Sequence, residues 1–333
     1  MRTDKLAFLL LFISLPAVAQ DFSLKVKNES GWFTPLTNEN VNKPSFINDL
    51  DISAEYNVER NLSIVGKVQP QWYGIEHPFF SIGTSLKTDA SFRFRNYDFN
   101  SSLLYLKKFY TSRTTEIDIN QYVVNANWLW YYKMKQSIYF DVNYGFRIFK
   151  DVNEYRLKLI NGTMIWIFTV SPYTKLGTGL FAEQFWIENT IQKVNVTESN
   201  KGMRIGPVLH FKYLKNFIFS LDYNFVSHFS IQTNVNSYEH WLKILAGKNL
   251  TSDITILLFI DYQVRNYKNL SGTDTNLLYS SLQSENRIYL KLDYDFSESL
   301  TFFTKVGYRK DDFIKALEPI SGVQTTLGID CTF

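Results

Sequence analysis

The feature that most constrains the fold of this chain is an alternation of apolar and polar residues that recurs along its length. In segment 217–230 (FIFSLDYNFVSHFS) six of the seven residues at alternate positions from Phe217 to Phe229 are aromatic or aliphatic, and a similar pattern returns in segments 137–149, 253–265, 287–296 and 300–309. A period of two predicts β-strands with one apolar face. These segments run for about ten to fifteen residues, whereas strands of soluble proteins average about five or six. A tilted strand needs roughly nine to eleven residues to cross a bilayer.

The chain has no other evident means of crossing a membrane. Beyond its first twenty residues, no stretch reaches the ~18 consecutive apolar residues of a transmembrane helix. The chain is therefore either soluble in the exported compartment or crosses a membrane as a closed β-barrel, in which every backbone polar group pairs with a neighbouring strand. The single cysteine, Cys331, excludes an internal disulfide, and the net charge of +3 does not suggest a nucleic-acid partner.

The N-terminus has the pattern of an export signal. Arg2 and Lys5 precede the apolar run LAFLLLFISLPAV, and Ala17 and Ala19 stand where a signal peptidase reads small residues. We expect a signal peptide over residues 1–19 and one barrel domain over residues 20–333.

Turn signals set the predicted strand number. Tight turns are predicted at 59–61, 100–102, 133–136, 171–172, 214–216, 247–252 and 297–299. Longer polar connections are predicted near 34–46, 74–87, 188–200, 231–236, 266–284 and 310–320, and shorter ones near 112–115 and 150–154. Such alternation of connection lengths is typical of transmembrane barrels. We therefore predict an all-β, transmembrane antiparallel up-and-down barrel of 16 strands, or 14 if the weak region 84–120 is misread. Asn161-Gly162 is interpreted as a bulge within one long strand.

The signal peptide, the long alternating strands and the terminal Phe333 together resemble Gram-negative outer-membrane β-barrels. In that class a C-terminal strand that ends in an aromatic residue is read by the barrel-assembly machinery. The resemblance implies such a signal at Leu327, Ile329, Cys331 and Phe333, with the last strand paired to the first near DFSLKV. It also implies outer-membrane lipids and lipopolysaccharide as partners. The size is loosely similar to monomeric outer membrane porin G-type carbohydrate channels, so a monomer is expected.

Successive residues of a strand point to opposite faces, so the parity of a residue, its odd or even position relative to the apolar face, predicts which charged residues face the lumen. The predicted pore-lining residues are Arg93, Arg95, Asp141, Arg147, Arg204, Asp222, Arg265, Lys291, Asp293, Lys305 and Arg309. Parity also assigns Arg156, Lys158, Arg287 and Glu183 to the interior. Because basic residues outnumber acids, this lumen favours anions. Inward Tyr139, Tyr289 and Phe303 offer stacking surfaces for sugars. The alternative interpretation is that the charges only solvate and cross-brace the barrel.

The sequence leaves three other functions open. His228 and Ser230 form a His-x-Ser pattern seen in outer-membrane lipid hydrolases, but parity points both into the lumen, away from acyl chains. Asp293 and Asp295 could form a carboxylate pair for a protease, but Lys291 and Arg287 flank them. A closed barrel could instead bind a partner through its loops. No spacing indicates a metal site or a cofactor. The sequence thus favours a non-enzymatic diffusion channel for small hydrophilic solutes, anionic or sugar-like.

Overall fold

The computed structural model describes residues 22–35, 45–73, 79–111, 116–150, 153–191, 196–231, 236–268, 285–311 and 320–333. These residues form sixteen strands, and tight turns connect pairs of them at one end. The strands are β1 (Phe22–Pro35), β2 (Ser45–Glu59), β3 (Leu62–Tyr73), β4 (Phe79–Arg93), β5 (Tyr97–Thr111), β6 (Glu116–Lys133), β7 (Gln136–Lys150), β8 (Asn153–Ser171), β9 (Thr174–Ile191), β10 (Val196–Leu214), β11 (Ile218–Ser230), β12 (Asn236–Asn249), β13 (Ile254–Lys268), β14 (Glu285–Ser297), β15 (Leu300–Asp311) and β16 (Ile320–Thr332). The predicted signal peptide lies outside the described residues.

The strands close into one antiparallel barrel. Each strand pairs with its neighbours in sequence, and β1 pairs with β16 from Lys25↔Thr332 to Pro35↔Gly322. The backbones of Leu24 and Phe333 complete this seam with N–H···O distances of 3.0 and 2.8 Å. The predicted fold and the count of 16 strands are confirmed. Closure leaves no unpaired strand edge, which is the condition for placing a sheet in lipid.

One end of the barrel carries tight turns, at 60–61, 94–96, 134–135, 172–173, 215–217, 250–253 and 298–299. The turn predicted at 100–102 is wrong, because those residues lie inside β5. Asn100 pairs there with Ser91 on one side and Asn127 on the other, so the strand ladder outweighs the turn preference of Asn-Ser-Ser. The real turn closes with Phe94 N–H donating to the Tyr97 carbonyl at 2.8 Å.

Two predicted loops are largely strand. Residues 79–87 belong to β4, where Ser81 and Gly83 face inward and the alternate residues Ile82 and Thr84 face outward. Residues 188–191 and 196–200 extend β9 and β10 in regular register. Polar composition was misleading in both places, because an inward face in a water-containing barrel is itself polar.

The strand β8 passes through Asn161-Gly162 without a bulge. The register continues from Val142↔Gly162 to Asn143↔Asn161. Asn161 keeps its place because its amide donates to Glu183 and its carbonyl oxygen accepts from Asn143. The prediction of one long strand is confirmed, and the prediction of a bulge at Asn161-Gly162 is wrong.

The outer surface of the barrel is an apolar belt. Large apolar side chains are exposed around the whole wall, among them Val68, Leu86, Leu103, Tyr144, Met164, Leu180, Leu209, Leu290, Val306 and Leu327. Leu327, Ile329 and Phe333 are 69%, 40% and 73% exposed, so the terminal strand presents its apolar face outward. Their role in assembly stays a prediction. In membrane barrels the tight turns are periplasmic, so the opposite end of this barrel faces outward from the cell.

The interior is packed on one side and open on the other. On β8 and β9, Leu157, Leu159, Phe185 and Ile187 form a fully buried apolar cluster. A second cluster joins Ile165, Phe181, Val208 and Val226, with Tyr139 and Ile167 against it. Across the barrel, residues of β12–β16, β1–β3 and β5 line a polar cavity.

Gly328 shows how tightly the last strand is held. A Cβ added there would lie 2.1 Å from the Phe303 ring and 2.6 Å from the Asn28 carbonyl oxygen. Phe303 is the cross-strand partner of Gly328, and its ring is 4% exposed. The glycine is therefore required for the ring to cover the backbone of β16.

Among the described residues, no helix is long and apolar enough to cross a membrane.

Candidate functional site

A polar cavity of the barrel is lined by the inner faces of β1–β3, β5 and β12–β16. Its volume is about 680 Å³. The lining residues are Lys27, Glu29, Asp49, Lys67, Gln69, Gln71, Lys108, Lys243, Asp261, Arg287, Tyr289, Lys305, Gly307, Tyr308, Arg309 and Gln324. Almost every side chain on this wall is polar, so the cavity is suited to a hydrated solute and not to a lipid.

The charge of this wall is predominantly positive. Seven of the lining side chains are Lys or Arg, and three are Asp or Glu. Several of the cations form ion pairs: Lys305 Nζ lies 2.6 Å from Glu29 Oε1, Lys243 lies 3.9 Å from Asp261, and Lys67 pairs with Asp51. Glu29 also accepts hydrogen bonds from Gln324 and Thr326 at 3.0 and 2.7 Å. The wall therefore carries an excess of basic groups over acids.

Aromatic rings inside the cavity hold cations. Lys27 and Lys291 stand over the ring of Phe303, at 5.0 and 4.7 Å from its centroid. Lys305 lies 5.0 Å over Tyr289, whose ring stacks on Phe259 at 4.7 Å. A cation over an aromatic face is attracted by the ring quadrupole. These ring faces therefore orient ammonium groups. Phe303 and Tyr289, which were predicted to offer stacking surfaces for sugars, already have lysine side chains over their rings.

A buried ionic cluster centres on Arg204 in β10. Its Nη1 lies 2.7 Å from Glu183 Oε1, and its Nη2 lies 2.6 Å from Glu239 Oε2. The side chains of Arg204 and Glu239 are fully buried. Arg265 approaches the same Glu239 with its Nε 3.0 Å from Oε1. The guanidinium of Arg204 also lies 5.1 Å from the Trp241 ring, so the cluster is wedged against an aromatic side chain.

The cluster extends into a row of hydrogen-bonded side chains along the inner wall. Asn125 donates to Asp141 at 2.6 Å and Asn143 donates to Asn161 at 3.0 Å, and Asn161 in turn donates to Glu183 at 3.2 Å. The row thus connects β6 to the Arg204 cluster. Because each amide supplies both a donor and an acceptor, it bridges neighbouring strands and braces the wall.

The structure brings several of the predicted lumen residues into these networks. Arg147 is buried and donates to Gln121 at 3.0 and 2.8 Å. Asp222 Oδ1 lies 2.6 Å from His210 Nδ1, beside a second cavity of about 320 Å³. Asp141, Arg204 and Arg265 take part as described above.

The other predicted residues divide between the cavity and the tight-turn end. Lys305 and Arg309 line the cavity, and Lys291 pairs with Asp293 at 2.6 Å on the neighbouring inner face. Arg93 ends β4, with its Nε 2.9 Å from Asp98 across the turn that contains Arg95. These last two arginines lie at the end of the barrel and not among the residues around the cavity. Their part in transport stays a prediction.

Parity was wrong for Arg156 and Lys158. Both are exposed, while Leu157 and Leu159 between them are buried inside. Parity failed because this part of β8 reverses the usual pattern, with leucines packed inward and charges outward.

Several interior residues were missed, notably Lys27, Glu29, Lys67, Lys243 and Glu239. Their signal was present in the sequence. Glu239, Trp241 and Lys243 share one parity in β12, but the short polar start of that strand concealed it.

His228 and Ser230 both point into the barrel. They are 4% and 8% exposed. Ser230 Oγ donates to Asn200 Oδ1 at 2.8 Å, and the His228 ring packs on Phe185 at 4.9 Å. An acyl chain in the surrounding lipid has no access to a side chain on this face. The placement therefore opposes a lipid-hydrolysing site.

The described residues contain no group of three or more His, Cys, Asp or Glu side chains arranged to hold a metal ion.

Comparisons with known proteins match the barrel alone. No protein-family model and no curated protein sequence matches the chain. Among solved structures, CdiB from Acinetobacter baumannii aligns with a TM-score of 0.51 at 9% identity, over 94% of this chain and 60% of that one. OmpT of Vibrio cholerae aligns at 0.47 with 10% identity, over 94% and 97% of the two chains. OccAB3 of Acinetobacter baumannii aligns at 0.42 with 11% identity, over 94% and 98%. At such identities the similarity shows the fold only.

The location of the protein follows from its own surface. A closed antiparallel barrel with an apolar exterior and a polar interior satisfies the backbone hydrogen bonds of every strand and can therefore lie in lipid. Sixteen strands of this kind, with tight turns at one end, are characteristic of bacterial outer-membrane proteins. The protein is an outer-membrane β-barrel.

Proposed function

We propose that the barrel is a passive diffusion channel for small hydrophilic solutes and that it favours anions. The observation that carries this proposal is the cavity of about 680 Å³, with seven basic and three acidic side chains on its wall. No reaction and no cofactor are needed.

The basic excess favours anions for a simple electrostatic reason. Fixed cations on the wall of a narrow, low-dielectric passage raise the local concentration of anions and oppose the entry of cations. Lys305 and Arg287 project from adjacent strands into the same cavity, and Lys27 faces it from β1. A solute carboxylate or phosphate would meet several of these groups in turn.

The solute path runs along the cavity side of the barrel. The opposite inner wall is filled by the two apolar clusters and the Arg204 cluster. These groups brace the barrel, whereas the residues of β14 and β15 contact the solute. We accordingly favour Arg287, Lys305 and Arg309 as transport residues over the buried Arg147 and Arg204.

Liposome swelling tests the proposal. Purified protein is reconstituted, and the uptake of three solutes of equal size is compared: an anion, a zwitterion and a cation. We expect uptake to fall in that order. The variant R287Q/R309Q should lose the preference for the anion, while its entry rate for the zwitterion changes little.

A matched control distinguishes the cavity from overall charge. K107Q/K150Q makes the same change in net charge, but both lysines lie on the outer face, beside Asp118 and Glu154. This variant should behave as wild type. Equal effects of the two variants would refute the role of the cavity wall.

A closed barrel that binds a partner is the second candidate. The observation that favours it is the apolar packing inside β8–β11, which narrows the lumen. A correctly folded barrel that admits none of the three solutes would support this alternative and refute the channel.

A further inference from the structure

Two lysines stand on the outward face of the barrel beside one tryptophan. Lys158 in β8 and Lys201 in β10 are both direct cross-strand partners of Trp186 in β9. Both lysines are exposed, and Trp186 is half-buried between them. Because neighbouring strands lie about 4.8 Å apart, the two lysines start roughly 10 Å from each other. Their long side chains can therefore converge over the indole.

This group lies where the apolar belt ends. Below it, toward the tight turns, the outward positions are Ile160 and Met164 on β8, Leu180 on β9, and Met203 and Leu209 on β10, all exposed. From Leu176 to Trp186 the strand covers ten residues, which rise about 25 Å at the usual tilt. That height equals the apolar belt of a membrane barrel. Trp186 and the two lysines thus lie at the outer membrane–water boundary.

The cations of this group are not neutralised by nearby acids. Neither Lys158 nor Lys201 has an ion-pair partner among the described residues. The nearest outward acids on these strands are Glu154 and Glu188. Glu154 lies 2.5 Å from Arg156, and Glu188 lies 4.0 Å from the same arginine. The acids are therefore engaged further from the membrane, and the two lysines are left facing the lipid head groups.

We propose that Lys158, Lys201 and Trp186 form a binding site for a phosphorylated lipid of the outer leaflet. The phosphate would lie between the two ammonium groups, and the first carbons of the acyl chains would pack on Ile160 and Met203. An indole is suited to this depth because its ring is apolar and its N–H is polar. The inference is independent of the channel, since the site faces away from the lumen.

The test uses lipid A as probe, with and without its phosphates. The barrel is purified in a neutral detergent, and lipid binding is measured by native mass spectrometry. Wild type should retain the phosphorylated form and release the dephosphorylated one. K158Q/K201Q should weaken binding of the phosphorylated form by roughly thirtyfold, as expected for the loss of two membrane-facing cations.

Two control variants separate the site from charge and folding effects. K107Q/K150Q removes the same charge from the same face, and it should change binding by less than about threefold. K158R/K201R keeps both charges and should bind as wild type does. Equal retention of the two lipid forms by wild type, or equal losses in K107Q/K150Q and K158Q/K201Q, would overturn the proposal. Solute uptake is measured on the same samples and should be unchanged.

Discussion

Replacing Arg204 with methionine should be one of the most destabilising single changes in this barrel. The substitution keeps the apolar volume of the side chain but removes the guanidinium between Glu183 and Glu239. Glu239 would keep Arg265 at 3.0 Å and Gln263 at 2.8 Å. Glu183, which is 5% exposed, would keep only Asn161 as a partner from the cluster.

The expected loss in the free energy of unfolding follows from the burial of the Glu183 carboxylate, which stays in the barrel without the guanidinium. Breaking a buried ion pair by removal of one partner costs about 3–5 kcal/mol, mainly because the other charge stays buried without compensation. We expect a loss in this range for R204M. Adding E183Q removes the uncompensated charge while keeping the amide contact with Asn161, so R204M/E183Q should recover about 1–3 kcal/mol.

The assay is equilibrium unfolding in urea from phospholipid vesicles, followed by tryptophan fluorescence. The chain has seven tryptophans, so the signal follows unfolding of the whole barrel, and one of them, Trp241, lies beside Arg204. A loss below about 1 kcal/mol for R204M would refute the account of the cluster as an obligate buried pair. Additional destabilisation by E183Q in the R204M background would refute it as well.

Three further predictions concern the cavity, the last strand and the His-x-Ser pattern. E29Q removes the carboxylate that pairs with Lys305 at 2.6 Å, so it should increase the ratio of anion to cation permeability measured from reversal potentials. G328A should lower the yield of heat-modifiable folded barrel, and F303A should restore it only in part, because the clash with the backbone of β1 remains. Wild type and S230A should release fatty acid from phospholipid at the same background rate, because Ser230 faces the interior; release that is lost in S230A would contradict this placement.

The barrel could be predicted from the sequence because the features that indicate it are local. Alternation with a period of two and strand length each depend on a single segment, and closure follows from the need to pair every edge. Parity also placed Lys291, Lys305 and Arg309 inside, since the register of β14 and β15 is regular across these positions and shifts only between Asp295 and Ser297.

The sequence could not predict the ionic cluster in the same way. Glu239 follows Arg204 by 35 residues. No local pattern links the two, and only the register of three strands brings them together. Parity also failed at Lys158, because that part of β8 lies at the edge of the membrane. At that edge the outer face meets polar head groups and water, so the rule that polar residues point inward no longer holds.

The reversal potential of wild-type protein in planar bilayers, measured across a gradient of KCl, tests the central claim most directly. The excess of basic groups around the cavity predicts an open conductance and a potential whose sign shows that chloride passes more readily than potassium. A potential of the opposite sign would contradict the proposed anion preference. The absence of conductance from correctly folded barrels would contradict the channel itself.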